Sequence, residues 1–151
     1  MPELRDRDTG VILCAADPET LQRLVPPGHG ARMLRVAPDE TMAVVDPAVR
    51  QDVRRELADR IAALDDDALV LDVSDGWAGL TLIGEDADHA LSYLSALEPP
   101  AGAGFVQGDV ARVAAKVLRE PDGLLLLVPA YWREHLRTRA IEDAGATEAS
   151  P

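Results

Sequence analysis

The segment from Leu71 to Trp132 constrains the fold most strongly, because the spacing of its apolar residues switches between that of strands and that of helices. Ala87, Leu91 and Leu94 recur at the spacing of one helix face. Pro121-Asp122-Gly123 is a turn sequence typical of a β-hairpin. The remaining apolar runs predict four strands, at 69–73, 77–83, 110–118 and 124–128.

The N-terminal half shows the same alternation of strands and helices. Asp17-Pro18 and Asp46-Pro47 each place a capping carboxylate before a proline, which is typical of a helix start. Apolar runs predict strands at 11–16, 31–36 and 41–45. The helix after Asp46-Pro47 carries its apolar residues on one face, at Val49, Val53, Leu57, Ile61 and Leu64.

These elements predict an α+β fold in which antiparallel or mixed sheets, built from β-hairpins, carry helices on one face. Each half of the chain ends in a hairpin followed by a helix, so the order indicates two ferredoxin-like halves. Ser74-Asp75-Gly76 is expected to close a hairpin between the strands at 69–73 and 77–83. We expect a single domain over residues 10–145, with flexible tails at 1–9 and 146–151.

Charge and cysteine content narrow the class of protein. The net charge of −12 opposes binding to a phosphate backbone, so we expect no nucleic-acid partner. The single Cys14 lies in an apolar run and is expected to be a buried, unreactive thiol, which fits a reducing compartment. The longest apolar run, 124–130, is too short to cross a bilayer, and the first ten residues do not resemble a signal peptide. The sequence therefore predicts a cytoplasmic protein without a membrane partner.

No pattern in the chain indicates catalytic, cofactor-binding or metal-binding residues. His29, His89 and His135 lack the spacing of a local metal site. Ser74 follows a strand but lacks the glycine frame of a hydrolase nucleophile, so we interpret it as a turn residue. The glycines at 102–108 do not form a phosphate-binding loop.

Aromatic residues make up only 3% of the chain, yet three of them lie at the starts of elements. Trp77 begins a strand, and Tyr131 and Trp132 begin the last helix. Trp and Tyr are enriched in protein interfaces, although they are also ordinary core residues. Trp132 lies four residues before Leu136, so we expect it in the core. Trp77 and Tyr131 are candidates for contact with a partner.

Several short segments together carry a family resemblance. They are APDETMAVV at 37–45, LDVS at 71–74, LTLIG at 80–84, LSAL at 94–97 and LLVPAY at 126–131, with Phe105, Gly108 and Ala111-Arg112-Val113 between the last two. Over about residues 31–144 the chain thereby resembles the gamma subunit of heterotetrameric sarcosine oxidase. Similar segments occur in the folate-binding domains of the glycine-cleavage T-protein and its relatives.

The resemblance implies a fold, a partner and a division of labour. The fold would be part of the folate-binding T-protein fold, and the chain would carry no cofactor of its own. It would dock on the large subunit of a flavin-dependent amine-oxidising complex and would not be catalytic alone. FAD, FMN, NAD and tetrahydrofolate would be bound by the partner subunits. Arg112 lies in a matching segment and is a third interface candidate beside Trp77 and Tyr131.

Two other functions remain open on the sequence. The chain could be a freestanding folate or one-carbon-binding protein, in which a carboxylate such as Asp72 or Asp109 would hold a pterin in an apolar pocket. It could also be a small self-associating scaffold. The amine substrate, the stability of the chain alone and its partner contacts are not encoded in any recognisable motif.

Overall fold

The computed structural model describes residues 1–150, which form two compact units. Unit 1 consists of Met1–Arg7 and the chain from Asp75 onward, and unit 2 is Asp8–Ser74. The elements, in chain order, are β1 (Glu3–Arg7), β2 (Gly10–Ala15), α1 (Pro18–Arg23), β3 (Arg32–Ala37), β4 (Glu40–Val45), α2 (Arg50–Ala62), β5 (Leu69–Asp72), β6 (Trp77–Ile83), α3 (Ala87–Leu94), β7 (Phe105–Val110), β8 (Val113–Glu120), β9 (Gly123–Pro129), α4 (Arg133–Glu142) and β10 (Thr147–Glu148).

Unit 1 is a six-stranded sheet in the order β10-β1-β6-β9-β8-β7. The β1–β10 pair is parallel and the other pairs are antiparallel. The two helices α3 and α4 supply apolar side chains, among them Leu91 and Leu136, to one core with the sheet residues Leu80 and Leu126. All four are fully buried. Each contributes about 2 kcal/mol of burial free energy, so this helix-facing core holds the unit together.

Unit 2 is a four-stranded sheet in the order β3-β4-β2-β5. Its core joins Ile12 and Cys14 of β2 to Val53, Leu57 and Ile61 of α2, which confirms the centre of the predicted apolar face. Leu64, the last residue of that predicted face, follows the end of α2 and is 41% exposed. The helix start at Asp17-Pro18 is also confirmed, because Asp17 Oδ1 accepts a hydrogen bond from Glu19 N at 2.9 Å.

The predicted fold class is confirmed: the protein is α+β, with antiparallel and mixed sheets and four helices in residues 1–150. The hairpins of β3 with β4 and of β8 with β9 also form as expected. In each unit, the helices and one face of the sheet share a core.

The predicted hairpin around Ser74-Asp75-Gly76 is wrong. Strand β5 pairs with β2, whereas β6 pairs with β1 and β9 in the other sheet. The reason lies in hydrogen bonds that extend the β5 pairing past its last residue. Val73 N donates to Val11 O at 2.9 Å, and Ser74 Oγ accepts from Val11 N at 2.9 Å. These bonds hold residues 73 and 74 against β2, so the chain does not turn back on β5.

The N-terminal residues are not a loose tail. Residues 3–7 form β1, which lies between β6 and β10, and Leu4 is 1% exposed. The sequence hides this strand because Leu4 is flanked by charged side chains. Those charges are paired, since Arg7 contacts Glu120 at 3.0 Å and Asp6 contacts Arg137 at 2.5 Å. The domain boundaries 10–145 stay a prediction, although β1 and β10 lie outside them and belong to the sheet.

At Gly123 the backbone of β9 lies very close to that of β6. A Cβ at this position would lie 1.9 Å from the carbonyl oxygen of Leu82. No side chain can be accommodated at that distance, and the nearest atoms are backbone atoms that cannot rotate away. Glycine is therefore required where β9 enters the sheet beside β6.

We predict that Gly123→Ala lowers the free energy of unfolding by about 3 kcal/mol, because the strands must separate to admit the methyl group. Gly76→Ala is the matched control, since nothing lies within 4 Å of a Cβ there. The control should change stability by less than about 0.5 kcal/mol. Urea unfolding measures both, and equal effects of the two substitutions would contradict the assignment.

Cys14 is fully buried in unit 2, as the sequence predicts, and burial raises the pKa of its thiol to about 11 from the ordinary 9.0. The thiolate is the reactive form, so we predict that iodoacetamide at pH 8 alkylates the folded chain about a hundredfold more slowly than the chain in urea. Mass spectrometry over time measures both rates, with Cys14→Ser as the blank. Alkylation at the same rate in both states would show that the thiol is accessible.

Candidate functional site

An aromatic ladder lies on the surface of unit 1 where β9 leads into α4. The chain makes one short turn, Ala130–Trp132, before the helix begins at Arg133. Tyr131 is 81% exposed and Trp132 is 40% exposed. The Tyr131 and Trp132 rings lie 5.4 Å apart between centroids, and Trp132 meets His135 edge to face, also at 5.4 Å. Three rings therefore form a continuous surface.

The expected core position of Trp132 is wrong. Its spacing of four residues from Leu136 predicts that both face the same way, but Trp132 precedes the first residue of α4 and has φ of −96°. It therefore does not share the helical geometry that buries Leu136 and Ala140 completely. The ring turns instead toward Tyr131 and His135 at the surface.

His135 joins this ladder to the turn between β7 and β8. Its Nε2 lies 2.9 Å from the carbonyl oxygen of Ala111. A carbonyl oxygen only accepts, so Nε2 must carry the proton and donate. On the other side, Ala111 N donates to Leu94 O at the end of α3, at 2.7 Å. The turn is thereby held by both helices of unit 1.

The turn itself has a strained backbone. Val110 pairs with Val113, so Ala111 and Arg112 are the two central residues of a tight hairpin, with φ of 51° and 67°. Such a turn ordinarily has Asn or Gly at these positions. Residues with a Cβ adopt this conformation at a cost of about 1–2 kcal/mol each. The hydrogen bonds to Leu94 and His135 offset that cost and fix Arg112 at the tip.

Between the turn and α4 lies a groove of about 460 Å³. Arg139 in this groove is already paired, with Asp143 and with Glu142 at 3.6 Å. Arg112 is exposed and has no hydrogen bond or ion pair with another residue of 1–150. Its positive charge is therefore available in a chain whose net charge is −12. We name Tyr131, Trp132, His135 and Arg112 the aromatic–arginine surface.

Trp77, the remaining interface candidate, makes no ring contact with the aromatic ladder in the described chain. It begins β6 opposite Pro129 and is only partly exposed. Lys116 Nζ lies 5.6 Å from the centroid of its ring, which is within the range of a cation–π contact. Within residues 1–150, no ring contact joins Trp77 to Tyr131 or Trp132. The interface role of Trp77, Tyr131 and Arg112 stays a prediction.

Ser74 and Asp72 bond the end of β5 to β2 and to α2. Ser74 is 7% exposed, and its Oγ donates to Asp72 Oδ1 at 2.6 Å besides accepting from Val11 N. Burial raises the pKa of Asp72, but the hydrogen bonds from Ser74 and the charges of Arg50 and Arg54 together outweigh it, so the pKa lies below its ordinary value. Gln51 Nε2 also donates to Asp72 Oδ2, at 3.1 Å. Both side chains are engaged in structural bonds.

The other candidate groups do not assemble into a site. Within residues 1–150, no group of three or more His, Cys, Asp or Glu side chains could hold a metal ion. His89 lies 3.2 Å from Tyr93 Oη at the surface, and His29 is an exposed turn residue with φ of 64°. Asp109 is exposed on the edge strand β7. No helix of the described chain has the length and apolar character needed to cross a bilayer.

Comparison with known proteins identifies the fold. Neither a protein-family model nor a curated protein matches the sequence. Among solved structures, a chain of heterotetrameric sarcosine oxidase from Corynebacterium sp. U-96 superposes with a TM-score of 0.69 and 20% identity, over 98% of this chain and 86% of that one. Glycine cleavage system aminomethyltransferase T from Bartonella henselae gives a TM-score of 0.68 and 18% identity, over 98% of this chain and 47% of that one.

A more distant likeness is the regulatory subunit of aspartate kinase from Thermus thermophilus, with a TM-score of 0.53 and 14% identity over 93% of this chain and 96% of that one. At such identities a likeness shows the fold alone. The two stronger likenesses, to sarcosine oxidase and to the aminomethyltransferase, agree with each other. The chain has a T-protein-like fold.

We predict that Ser74→Ala lowers the free energy of unfolding by about 2 kcal/mol, because Val11 N and Asp72 lose a buried partner. Ser92→Ala is the control, since its hydroxyl bonds His89 O on an exposed face of α3. Because its pKa is lowered in the folded state, Asp72 stabilises the fold above the ordinary pKa of the carboxyl, and this stabilisation is lost as the pH falls. Ser74→Ala removes part of it, so the free energy of unfolding of the variant should fall less steeply in acid. Urea unfolding at pH 7 and in acid measures both effects; a loss no larger than that of Ser92→Ala would contradict them.

Proposed function

We propose that this chain is the accessory, gamma-type subunit of a sarcosine oxidase-like, flavin-dependent amine-oxidising complex, and that it docks on the large subunit. The observation that carries the proposal is the superposition on a chain of heterotetrameric sarcosine oxidase over 98% of this chain and 86% of that one. Because the superposition spans most of both chains, the two chains have similar lengths. The matched chain is thus a small member of a heterotetramer.

The aromatic–arginine surface supports docking. Trp, Tyr and Arg are the residues most enriched among those that dominate binding energy at interfaces. Here Tyr131 is 81% exposed although Tyr and Trp number only four in the whole chain. The hydrogen bonds of Ala111 to Leu94 and His135 fix the turn that carries Arg112. A preorganised surface loses less conformational entropy on binding.

The proposed division of labour assigns the chemistry to the larger chains. FAD, FMN, NAD and tetrahydrofolate would be bound there, and this chain would contribute contacts only. The engagement of Ser74 and Asp72 in structural bonds supports this view. So does the pairing of Arg139 with Asp143.

A freestanding folate or one-carbon-binding protein is the second candidate, favoured by the likeness to the aminomethyltransferase. This chain spans about half of that protein, since only 47% of it is covered. Isothermal titration of the isolated chain with tetrahydrofolate separates the two candidates. One-to-one binding at micromolar concentration would favour the second candidate, and no heat change would favour the first.

The docking proposal predicts the outcome of purifying the tagged chain from its native host. Wild type should elute as a complex with larger chains that shows flavin absorbance, and the double variant Tyr131→Ala/Trp132→Ala should elute free of them. Removing two such anchors costs about 4 kcal/mol of binding free energy. Arg112→Ala should weaken the complex as well.

Matched controls keep this test specific. Val25 is 64% exposed in unit 2, and Arg55 is an exposed arginine on α2. Val25→Ala and Arg55→Ala should leave the complex intact. A colourless wild-type protein that elutes without larger chains would overturn the proposed function. If the complex still forms with the double variant, the aromatic–arginine surface is not the docking site, but the proposed function stands.

A further inference from the structure

Strand β5 of unit 2 leaves an apolar sheet edge open. In residues 1–150, β5 pairs with β2 only and is the last strand of its sheet. Leu69 is 57% exposed and Leu71 is 48% exposed. Edge strands in proteins are commonly protected by lysine, proline or a bulge, and Leu69–Asp72 contains none of these.

The register shows which backbone groups are free. Val73 N bonds Val11 O, and the ladder alternates, so Leu69 and Leu71 direct their N–H and C=O groups toward β2. Val70 and Asp72 therefore direct theirs away from the sheet. This pattern offers a partner strand two donors and two acceptors along the edge.

The exposed side chains of β5 belong to the residues whose backbone groups face β2. Val70 packs on the core shared with α2, and Asp72 is bonded by Gln51 of α2. Leu69 and Leu71 therefore lie on the opposite face of the sheet, at its exposed edge. Leu13 of β2 is opposite Leu71 in the register and shares this face. The result is a small apolar strip beside an unpaired backbone.

The charges around the strip favour a basic binding partner. A groove of about 430 Å³ beside Leu69 is lined by four carboxylates, from Asp17, Asp39, Asp65 and Asp67. Antiparallel pairing with a second copy of β5 would bring the carboxylates that precede one strand against Asp72 at the end of the other. Like charges so placed oppose association. A basic occupant would gain from the same charges.

We propose that β5 docks an extended segment of a protein partner by strand addition, and that this segment carries alternating apolar residues flanked by Lys or Arg. Its backbone pairs with Val70 and Asp72, and its apolar side chains cover Leu69 and Leu71. A basic side chain enters the carboxylate-lined groove. The surface lies in unit 2, so the proposal stands independently of the aromatic–arginine surface.

The test uses the full-length chain and a fluorescein-labelled peptide of sequence KKTITIKK, with fluorescence anisotropy as the readout. The peptide should bind wild type, and EETITIEE should bind at least about tenfold more weakly, because only its charges differ. Leu69→Thr/Leu71→Thr should weaken binding of the basic peptide about tenfold by removing apolar contact area. Val25→Thr is the control and should leave binding unchanged.

Val70→Pro tests the backbone pairing. It removes an N–H that points away from β2, a position at which edge strands tolerate proline. Loss of peptide binding with a retained unfolding transition supports the proposal. If this variant does not fold, peptide binding by Leu69→Thr/Leu71→Thr tests the proposal instead. Failure of wild type to bind, equal binding of both peptides, or self-association through β5 would each overturn the proposal, whatever the outcome at Tyr131 and Trp132.

Discussion

The close passage of β9 over β6 at Gly123 is the constraint on which unit 1 depends. The carbonyl oxygen of Leu82 occupies the space in which a side chain would lie, and this contact fixes the register of the two central strands. The same register pairs Trp77 with Pro129 at the other end. The turn Ala130–Trp132 therefore begins at a defined place, and the aromatic residues emerge there. One backbone contact thus positions a surface at the opposite end of the sheet.

Two hydrogen bonds hold the turn between β7 and β8 next to this aromatic surface. His135 donates to Ala111 O, and Ala111 N donates to Leu94 O, so one strained turn is tied to both helices of unit 1. Strained backbone persists only where its surroundings determine it, and it concentrates at functional sites. In this chain the strained turn carries Arg112, a cation without an ion pair within residues 1–150, and the same turn is bonded by His135, whose ring contacts Trp132. Geometry and composition therefore point to the same surface.

Local patterns predict much of this fold, and their failures have physical causes. Asp17-Pro18 and the apolar face of α2 determine their helices through caps and spacing, so both are predictable. Strand β1 is not, because its partners are distant in sequence and Leu4 is its only apolar residue. Ser74 resembles a turn residue, yet it bonds Val11 across the sheet. Tyr131 is recognisable as an interface candidate, but no sequence signal predicts that His135 would contact the turn at Ala111.

In the function proposed for this chain the protein works by docking, and the exposed aromatic–arginine surface is the candidate contact. Hydrogen–deuterium exchange, measured on the chain alone and in the complex isolated from its native host, tests this account most directly. It predicts slower exchange on assembly in peptides that cover 111–112 and 131–135, with unchanged exchange in the fully buried core of α2. Equal exchange at 131–135 in the free and assembled chain would contradict it.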